Sequence, residues 1–318
     1  MSKPAISVLL PVRDAGRYLA AAVGDALAQN DVVLELIAVD DGSCDGSRQR
    51  LEAMAKSDTR LKVIANAGAG PARALDLALK TARHDWIAQM EADDRCPPDR
   101  LARLAAALAQ QPDWGGVVSR AAPFGFRSDG MRRYLDWQNG LTTPEAMARS
   151  RFLEIPALHQ SGLYRRAALI AAGGFIGDPR WPLDIDFWMR WHERGLVVGK
   201  VARVLYRWRQ HALQSTRTSP LHRLEALRRC KAHYFARGPG RDRPLELLSV
   251  GATLEGFAAA LQAEGQFGLV AHEWRPGRPL PPRREGARRL FAFGTEAARA
   301  RVFAMTGAFD PASDWFAA

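Results

Sequence analysis

The chain has 318 residues, 47% of them hydrophobic and 25% charged, with 27 scattered glycines. Such a composition supports a full buried core and excludes disorder, collagen and coiled coil. The formal charge of +11 invites a nucleic-acid reading, but it is lopsided: residues 1–150 carry 19 basic and 19 acidic side chains, residues 151–318 carry 26 and 15. Arginines outnumber lysines 39 to six, a bias that genomic base composition explains as readily as a partner does. Cys44, Cys96 and Cys230 stand far apart with no CxxC pair, which points to a reducing compartment and away from structural zinc. No stretch approaches the ~20 apolar residues of a membrane span. The opening apolar run ends at Pro11 and Arg13, which suits a first strand better than a signal peptide.

In chain order, short apolar runs at Ile6–Leu10, Val33–Val39, Leu61–Ile64, Trp86–Met90 and Gly116–Val118 have strand length. Helical periodicity lies between them. Leu19, Ala22, Val23 and Ala26 mark one face; Leu51, Met54 and Ala55 a second; Leu75, Leu79 and Ala82 a third; Leu101, Leu104 and Leu108 a fourth. This alternation predicts βαβ units and a mainly parallel sheet flanked by helices. From Ala121 to Leu158 the pattern loosens. Helices are predicted near Arg165–Ala172, before a Gly173-Gly174 turn, and over Leu183–Glu193, which has Pro182 at its start and Gly195 past its end. Val197–Tyr206 reads as a strand. Residues 207–243 hold ten Lys and Arg against Glu225 and Asp242, with a helix over Leu221–Ala236. A last unit of strands (Leu245–Val250, Phe267–Ala271, Leu290–Phe293) and helices (Leu254–Ala263, Glu296–Met305) begins near Pro244, with Arg275–Arg284 as a loop.

Acids cluster directly after the predicted strands. Asp40, Asp41, Gly42 and Ser43 follow the second; Glu91, Asp93 and Asp94 follow the fourth; Asn66-Ala-Gly-Ala-Gly-Pro-Ala-Arg73 follows the third. Singly, each suits a turn or helix cap. Together they converge on one crevice, because ligands of parallel α/β sheets bind beyond the strands' carboxyl ends. Five carboxylates there repel unless a hard divalent cation joins them, and magnesium or manganese binds through one or two carboxylates plus substrate phosphates. This chemistry suggests a nucleoside diphosphate, with Asp40 or Asp41 accepting from the base, Arg73 near base or phosphates, and a metal at Asp93.

These residues resemble family 2 glycosyltransferases of GT-A fold. The matching segments are Leu10-Pro-Val-Arg-Asp14, Val39-Asp-Asp-Gly-Ser-Cys-Asp-Gly-Ser47, Asn66–Arg73 and Met90-Glu-Ala-Asp-Asp94 with Pro98-Asp-Arg-Leu101. Further along come Arg165-Arg166 with Gly173-Gly-Phe175, then Leu183-Asp-Ile-Asp-Phe-Trp-Met-Arg190. Tyr206-Arg-Trp-Arg-Gln-His211 through Thr216-Arg217 closes the set. The resemblance spans roughly residues 5–218. The family's metal motif usually opens with Asp where this chain has Glu91; its catalytic helix opens with an acid where this chain has Leu183; Arg13, Ala74 and Asp76 also depart from it.

The resemblance implies inverting transfer of a sugar from a nucleotide-diphospho-sugar to a glycan, lipid-linked or other hydroxyl acceptor. Asp184 would be the general base, unless it only caps its helix. Pro11, Arg13, Asp40, Asp41, Arg73 and Asp93 would bind the donor. Asp93 would hold Mn2+ or Mg2+, with Glu91 and His211 as further ligand candidates; His211 suits a surface or core histidine equally. Arg207 or Arg209 could meet phosphate. Trp181, Phe187 and Trp188 suit either a sugar platform or the core, and Asp186 a structural role.

Four segments are expected: 1–120 for the nucleotide-sugar, 121–218 for acceptor and catalysis, 219–243 as a basic helical linker, and 244–318 as a small Rossmann-like α/β domain. In the last, Ser249–Gly256 is similar to a dinucleotide fingerprint, but Thr253 stands at its middle glycine. No NAD is therefore expected, and Glu273 is the one acid ending the next strand. One rival reading keeps the fold in a catalytically weakened nucleotide-sugar-binding protein; a related enzyme alternative, a nucleotidyltransferase, leaves the Asp184 helix unexplained. Nucleic-acid binding has no motif behind it. The basic second half instead suggests peripheral contact with an anionic membrane, at the inner face of the cell membrane in a cytoplasmic protein.

Overall fold

A computed structural model describes residues 3–125, 128–212, 214–305, 309–310 and 312–318, apart from the side chains of Ser215, Thr216 and Glu296. Phe126 and Arg127 of the loosely patterned stretch, and Leu213 with the Thr216 side chain in the closing motif, thus lie outside the described residues. The chain forms two units that interleave in sequence. One is Met1–Met147, Pro156–Pro179 and Arg190–Gln214; the other is Ala148–Ile155, Arg180–Met189 and Ser215–Ala318.

The first unit runs β1 (Ala5–Val12), α1 (Leu19–Leu27), β2 (Val33–Asp40), α2 (Ser47–Ser57), β3 (Leu61–Ala65), α3 (Pro71–Thr81), β4 (Trp86–Gln89) and α4 (Arg100–Ala109). Then come β5 (Trp114–Gly125), α5 (Asp129–Gly140), α6 (Pro144–Ser150), β6 (Leu163–Arg165), α7 (Arg166–Ala171), α8 (Leu183–Glu193) and β7 (Val197–Gln210), with α6 and α8 passing into the second unit. Among the described residues seven strands make one sheet in the order β3-β2-β1-β4-β6-β5-β7, and only β6 pairs antiparallel to its neighbours.

The helices form where the sequence periodicity places them. Leu19, Ala22, Val23 and Ala26 are the buried face of α1, and Leu101, Leu104, Ala105 and Leu108 that of α4. Such i, i+3, i+4, i+7 spacing puts one stripe on the sheet, and each buried leucine contributes roughly 1.5–3 kcal/mol. Ile6 through Val12 are all buried, as a central parallel strand requires.

The loosely patterned stretch contains more order than its sequence suggests: β5 continues to Gly125 and is followed by α5 and α6. The α5 sequence buries only Leu135 and Gln138, too narrow a stripe to leave a clear period. The helix expected near Arg165–Ala172 is α7, and residues Leu163–Arg165 before it form β6, a strand the sequence did not signal, because pairing to β4 and β5 decides the fate of a three-residue segment.

At the amino-terminal edge of the sheet, Glu35 is buried among donors. The Ser7 hydroxyl and Arg83 N–H donate to Oε1 (both 2.7 Å), Arg83 Nε donates to Oε2 (2.9 Å), and Lys62 lies 3.2 Å away. Burial alone would push this carboxyl up, but those groups outweigh it and hold it down at about 2. A depressed carboxyl contributes stability that is full above its unfolded value near 4.5 and is lost as pH falls toward 2. Glu35→Gln is therefore expected to cost about 3 kcal/mol in urea unfolding at pH 7. The gap from wild type should shrink below pH 4 (about one carboxyl pKa); an unchanged gap at pH 3 (about the middle of the window) would refute the assignment.

The second unit holds α9 (Ser215–Thr218), α10 (Leu224–Arg237), β8 (Leu245–Ser249), α11 (Gly251–Ala263), β9 (Leu269–Glu273), β10 (Arg288–Ala292), α12 (Glu296–Phe303) and β11 (Asp314–Ala317). Among the described residues its four strands are all parallel, in the order β11-β10-β8-β9. The small α/β domain thus has a fourth strand, β11, too short to be read from sequence. Residues 148–155 join this unit because Phe152 packs edge-on against Phe235 and Trp315 (5.4 and 5.7 Å). The buried Lys231 ammonium also donates to Leu153 O (2.8 Å). The start of α8 joins it through Asp186, which accepts from Tyr234 Oη (2.7 Å).

Candidate active site

After β1 the chain builds β2 and β3 on one side of it and then crosses to β4 on the other. A crevice is required at such a reversal, beyond the carboxyl ends of β1 and β4. The loops after β1, β2, β3 and β4 meet there. Gly42, in the left-handed region at φ 76°, has Gly68 N only 3.3 Å from where a Cβ would lie, so two of the loops touch where a side chain has no room.

The two acids after β2 divide their roles. Asp41, 2% exposed, accepts from Asn66 Nδ2 (2.6 Å) and Gly70 N (3.0 Å), and Arg13 Nη1 approaches it at 3.9 Å. It therefore ties together the loops after β1, β2 and β3. Asp40 is as deeply buried, yet its Oδ1 has no hydrogen-bond partner. An unsatisfied buried acceptor costs roughly 1–3 kcal/mol, and a ligand N–H would relieve it. Pro11 is buried in β1 opposite Val39, whereas Arg73 is exposed in the first turn of α3. Asn66, quoted in its motif but given no role there, is the positioning residue that sequence reading passed over.

After β4, Asp93 Oδ2 lies 2.9 Å from His211 Nε2, across 118 residues of chain. The long pairing of β7 with β5 brings His211 there, helped by Arg95 and Arg207, which exchange backbone hydrogen bonds (3.1 and 2.9 Å). Arg209 N donates to Asp94 Oδ1 (2.6 Å) and its Nε to Asp93 O (2.5 Å), while its guanidinium lies over Tyr18 and Phe124. Arg209 thus shapes the loop, and Arg207 rests over Phe124. The Tyr206 hydroxyl accepts from Glu91 N (3.2 Å), a support that its strand position did not signal. Burial and the nearby Asp93 charge push Glu91 up to about 8, against a hydrogen bond from Gln89. Burial and the same charge also raise Asp94 well above the usual carboxylate range.

Among the described residues no lysine or arginine pairs with Glu91, Asp93 or Asp94, and no cluster of three His, Cys, Asp or Glu that could hold a metal is present. The donor set fits a divalent cation of the magnesium or manganese type. A carboxylate and an imidazole adjoin, both about a quarter exposed, and such ions take only one or two protein ligands when phosphate oxygens supply others. Glu91 is oriented by Gln89 instead of by His211.

Asp184 lies in the second unit, in the first turn of α8 and partly exposed. Its Oδ1 accepts from Ile185 N (2.9 Å) and stands 3.9 Å from His222 Nε2. Phe187, Trp188 and Trp181 are all buried and therefore belong to the core. Arg165 donates to Trp114 O and Leu108 O, Arg166 to Ala82 O and Leu79 O, and Arg190 to Ala172 O and Gly174 O. These motif arginines are therefore committed to backbone carbonyls at helix ends and turns.

The family model of Glycosyl transferase family 2 matches residues 7–172. The chain belongs to glycosyl transferase family 2. Among relatives of this family member, the EpsE protein of Bacillus subtilis (strain 168), a glycosyltransferase by name, is 28% identical over 213 residues, 66% of this chain and 74% of EpsE. TuaG of the same organism, named for teichuronic acid biosynthesis, is 36% identical over 102 residues, 31% of this chain. The match spans only 40% of TuaG, so the chain covers about two fifths of some relatives it resembles. In structure it is similar to S. aureus TarS 1–349 in complex with UDP-GlcNAc (TM-score 0.59, 18% identity, 73% of this chain and 67% of that one). It is similar as well to the mannosyltransferase PcManGT of Pyrobaculum calidifontis in complex with GDP-Man and Mn2+ (TM-score 0.51, 20% identity, 81% and 68%). The fold of this family 2 glycosyltransferase is accordingly of the GT-A type. No helix among its described residues is long and apolar enough to cross a membrane.

Proposed function

We propose that the chain is an inverting, metal-dependent hexosyltransferase that moves a sugar from a nucleotide-diphosphate donor to an acceptor hydroxyl in cell-envelope glycan synthesis. The observation that carries this reading is the Asp93–His211 pair beside Glu91 and Asp94, at the crevice where Asp40 keeps a buried unpartnered oxygen. Asp40 accepts a hydrogen bond from the donor base, Asp41 holds the loops that frame it, and Arg73 and Arg13 reach toward the nucleotide. Asp93 and His211 would hold Mn2+ or Mg2+, which when bound neutralises charge on the departing diphosphate. Asp184, assigned through its Asp-x-Asp-x-Trp-x-Arg motif, takes the proton from the acceptor hydroxyl as that oxygen forms its bond to the anomeric carbon. The bond from that carbon to the diphosphate breaks on the opposite side, so the configuration inverts and no covalent enzyme intermediate forms.

Residues 1–120 handle the donor and 121–218 the acceptor. The excess charge lies outside the donor half, which favours a glycan or lipid-linked acceptor at an anionic membrane, at the cytoplasmic face. The test is release of nucleoside diphosphate from a panel of UDP- and GDP-sugars, with manganese and mixed glycan acceptors. Turnover from one donor class that stops on chelation is expected. Donor binding without turnover across the panel would make the chain a nucleotide-sugar-binding protein, and pyrophosphate release from a nucleoside triphosphate would make it a nucleotidyltransferase. Sedimentation with anionic vesicles at low salt, lost at high salt, is the matching test for the membrane.

A further inference from the structure

The small unit has a switch point of its own. Its chain goes from β8 to β9 on one side and then returns past β8 to β10 and β11 on the other. Between the carboxyl ends of β8 and β10 lies a cavity of about 530 Å3, floored by Val250 and Phe293, within the size range of small-ligand sites. Glu273, the last residue of β9, and Arg275, Arg278 and Arg301 are among the residues that line it. All three arginines are exposed, and among the described residues none of their guanidinium groups has a hydrogen bond or ion pair. Elsewhere in this unit Arg283 is engaged with Asp314, Arg289 with Glu246 and Arg299 with Phe293 O, whereas Arg243 and Arg288 have no side-chain hydrogen bond or ion pair among the described residues. Three exposed guanidinium groups lining one cavity offer a seat for an anion. The 13-residue α11 starts at the same edge, and no side chain caps it.

The sequence around the cavity narrows the class of anion. Gly251 and Gly256 occupy the outer positions of a dinucleotide fingerprint, and Glu273 follows Gly251 by roughly the 20 residues at which such folds place the acid that binds ribose hydroxyls. Thr253, however, puts a side chain where the backbone of that fingerprint must approach a pyrophosphate. We propose that this crevice binds a phosphate monoester of a ribose-like body. The phosphate sits on Arg275, Arg278 and Arg301, and the vicinal hydroxyls bond to Glu273. The proposal does not depend on the transferase reading of the first unit.

The test is calorimetric titration of the full chain with ribose 5-phosphate, ribose and inorganic phosphate, together with sedimentation on phosphatidylcholine vesicles containing phosphatidic acid. One site for ribose 5-phosphate is expected, about tenfold or more tighter than for ribose or inorganic phosphate. An Arg275→Ala/Arg301→Ala variant should weaken it by at least about tenfold. Glu273→Gln should weaken ribose 5-phosphate but leave inorganic phosphate unchanged. Asp41→Asn, in the donor crevice, should leave ribose 5-phosphate binding intact. Because Glu273, Arg275 and Arg301 are exposed, the melting temperatures of the variants at those positions should match wild type. Four results would overturn the proposal: no binding by wild type at millimolar ligand, full binding by the double arginine variant, loss of binding in Asp41→Asn, or capture by the phosphatidic acid vesicles alone.

Discussion

Asp93→Asn is expected to lower sugar transfer by about 10²–10³-fold or more, the usual effect of removing a preorganised electrostatic contact to a developing anion. The side chain's one described partner is His211, and it is about 29% exposed, so the variant should fold and melt as wild type does. What distinguishes this from a structural effect is the metal titration. Wild-type turnover should rise and saturate with manganese, whereas Asp93→Asn should need far more metal at every donor concentration. His211→Ala should move the same curve in the same direction by a smaller factor, because one of the two proposed protein ligands remains. If Asp93→Asn keeps the wild-type metal curve, the assignment of the pair is wrong.

The second large effect belongs to Asp184. Asp184→Asn should reduce kcat by about 10²–10⁴-fold, the span attributed to general-base catalysis. The affinity for the nucleoside diphosphate, read by titration calorimetry, should remain unchanged, since the proposed role lies in deprotonating the acceptor. Asp186→Asn is the internal control. Asp186 is buried and accepts from Tyr234 Oη, so its loss should lower the melting temperature and cost about 1–3 kcal/mol. Matching losses of kcat in both variants, with matching losses of stability, would mean that Asp184 only supports the first turn of α8.

The two acids after β2 show how far motif reading reaches. Asp40 and Asp41 are adjacent and equally plausible as acceptors in the sequence. The fold separates them, since Asp41 is committed to Asn66 and Gly70 while Asp40 keeps a free oxygen. Similarly, Arg165, Arg166 and Arg190 carry the resemblance along the chain, yet their guanidinium groups hold backbone carbonyls together. A motif records that a residue type is needed at a place and is silent on whether it serves the ligand or the loop.

Other features left little local trace. The β6 and β11 segments have three and four residues, and strands so short are decided by the neighbours they pair with. Residues 148–155 and 180–189 belong to a unit whose other residues begin at Ser215. Side chains such as Phe152 and Asp186 place them there, by meeting partners dozens of residues away.

The alternation of strands and helices, the strand-end acids and the polar loops were readable in the chain itself. They arise from periods of two and 3.6 residues and from turn chemistry, all of which act between near neighbours. The confinement of the +11 charge to the second half was equally plain. The meeting of Asp93 with His211, the division between Asp40 and Asp41, and the gathering of Arg275, Arg278 and Arg301 around one cavity were not. Those depend on strand order and on packing between segments remote in sequence, for which no local pattern of residues carries a signal.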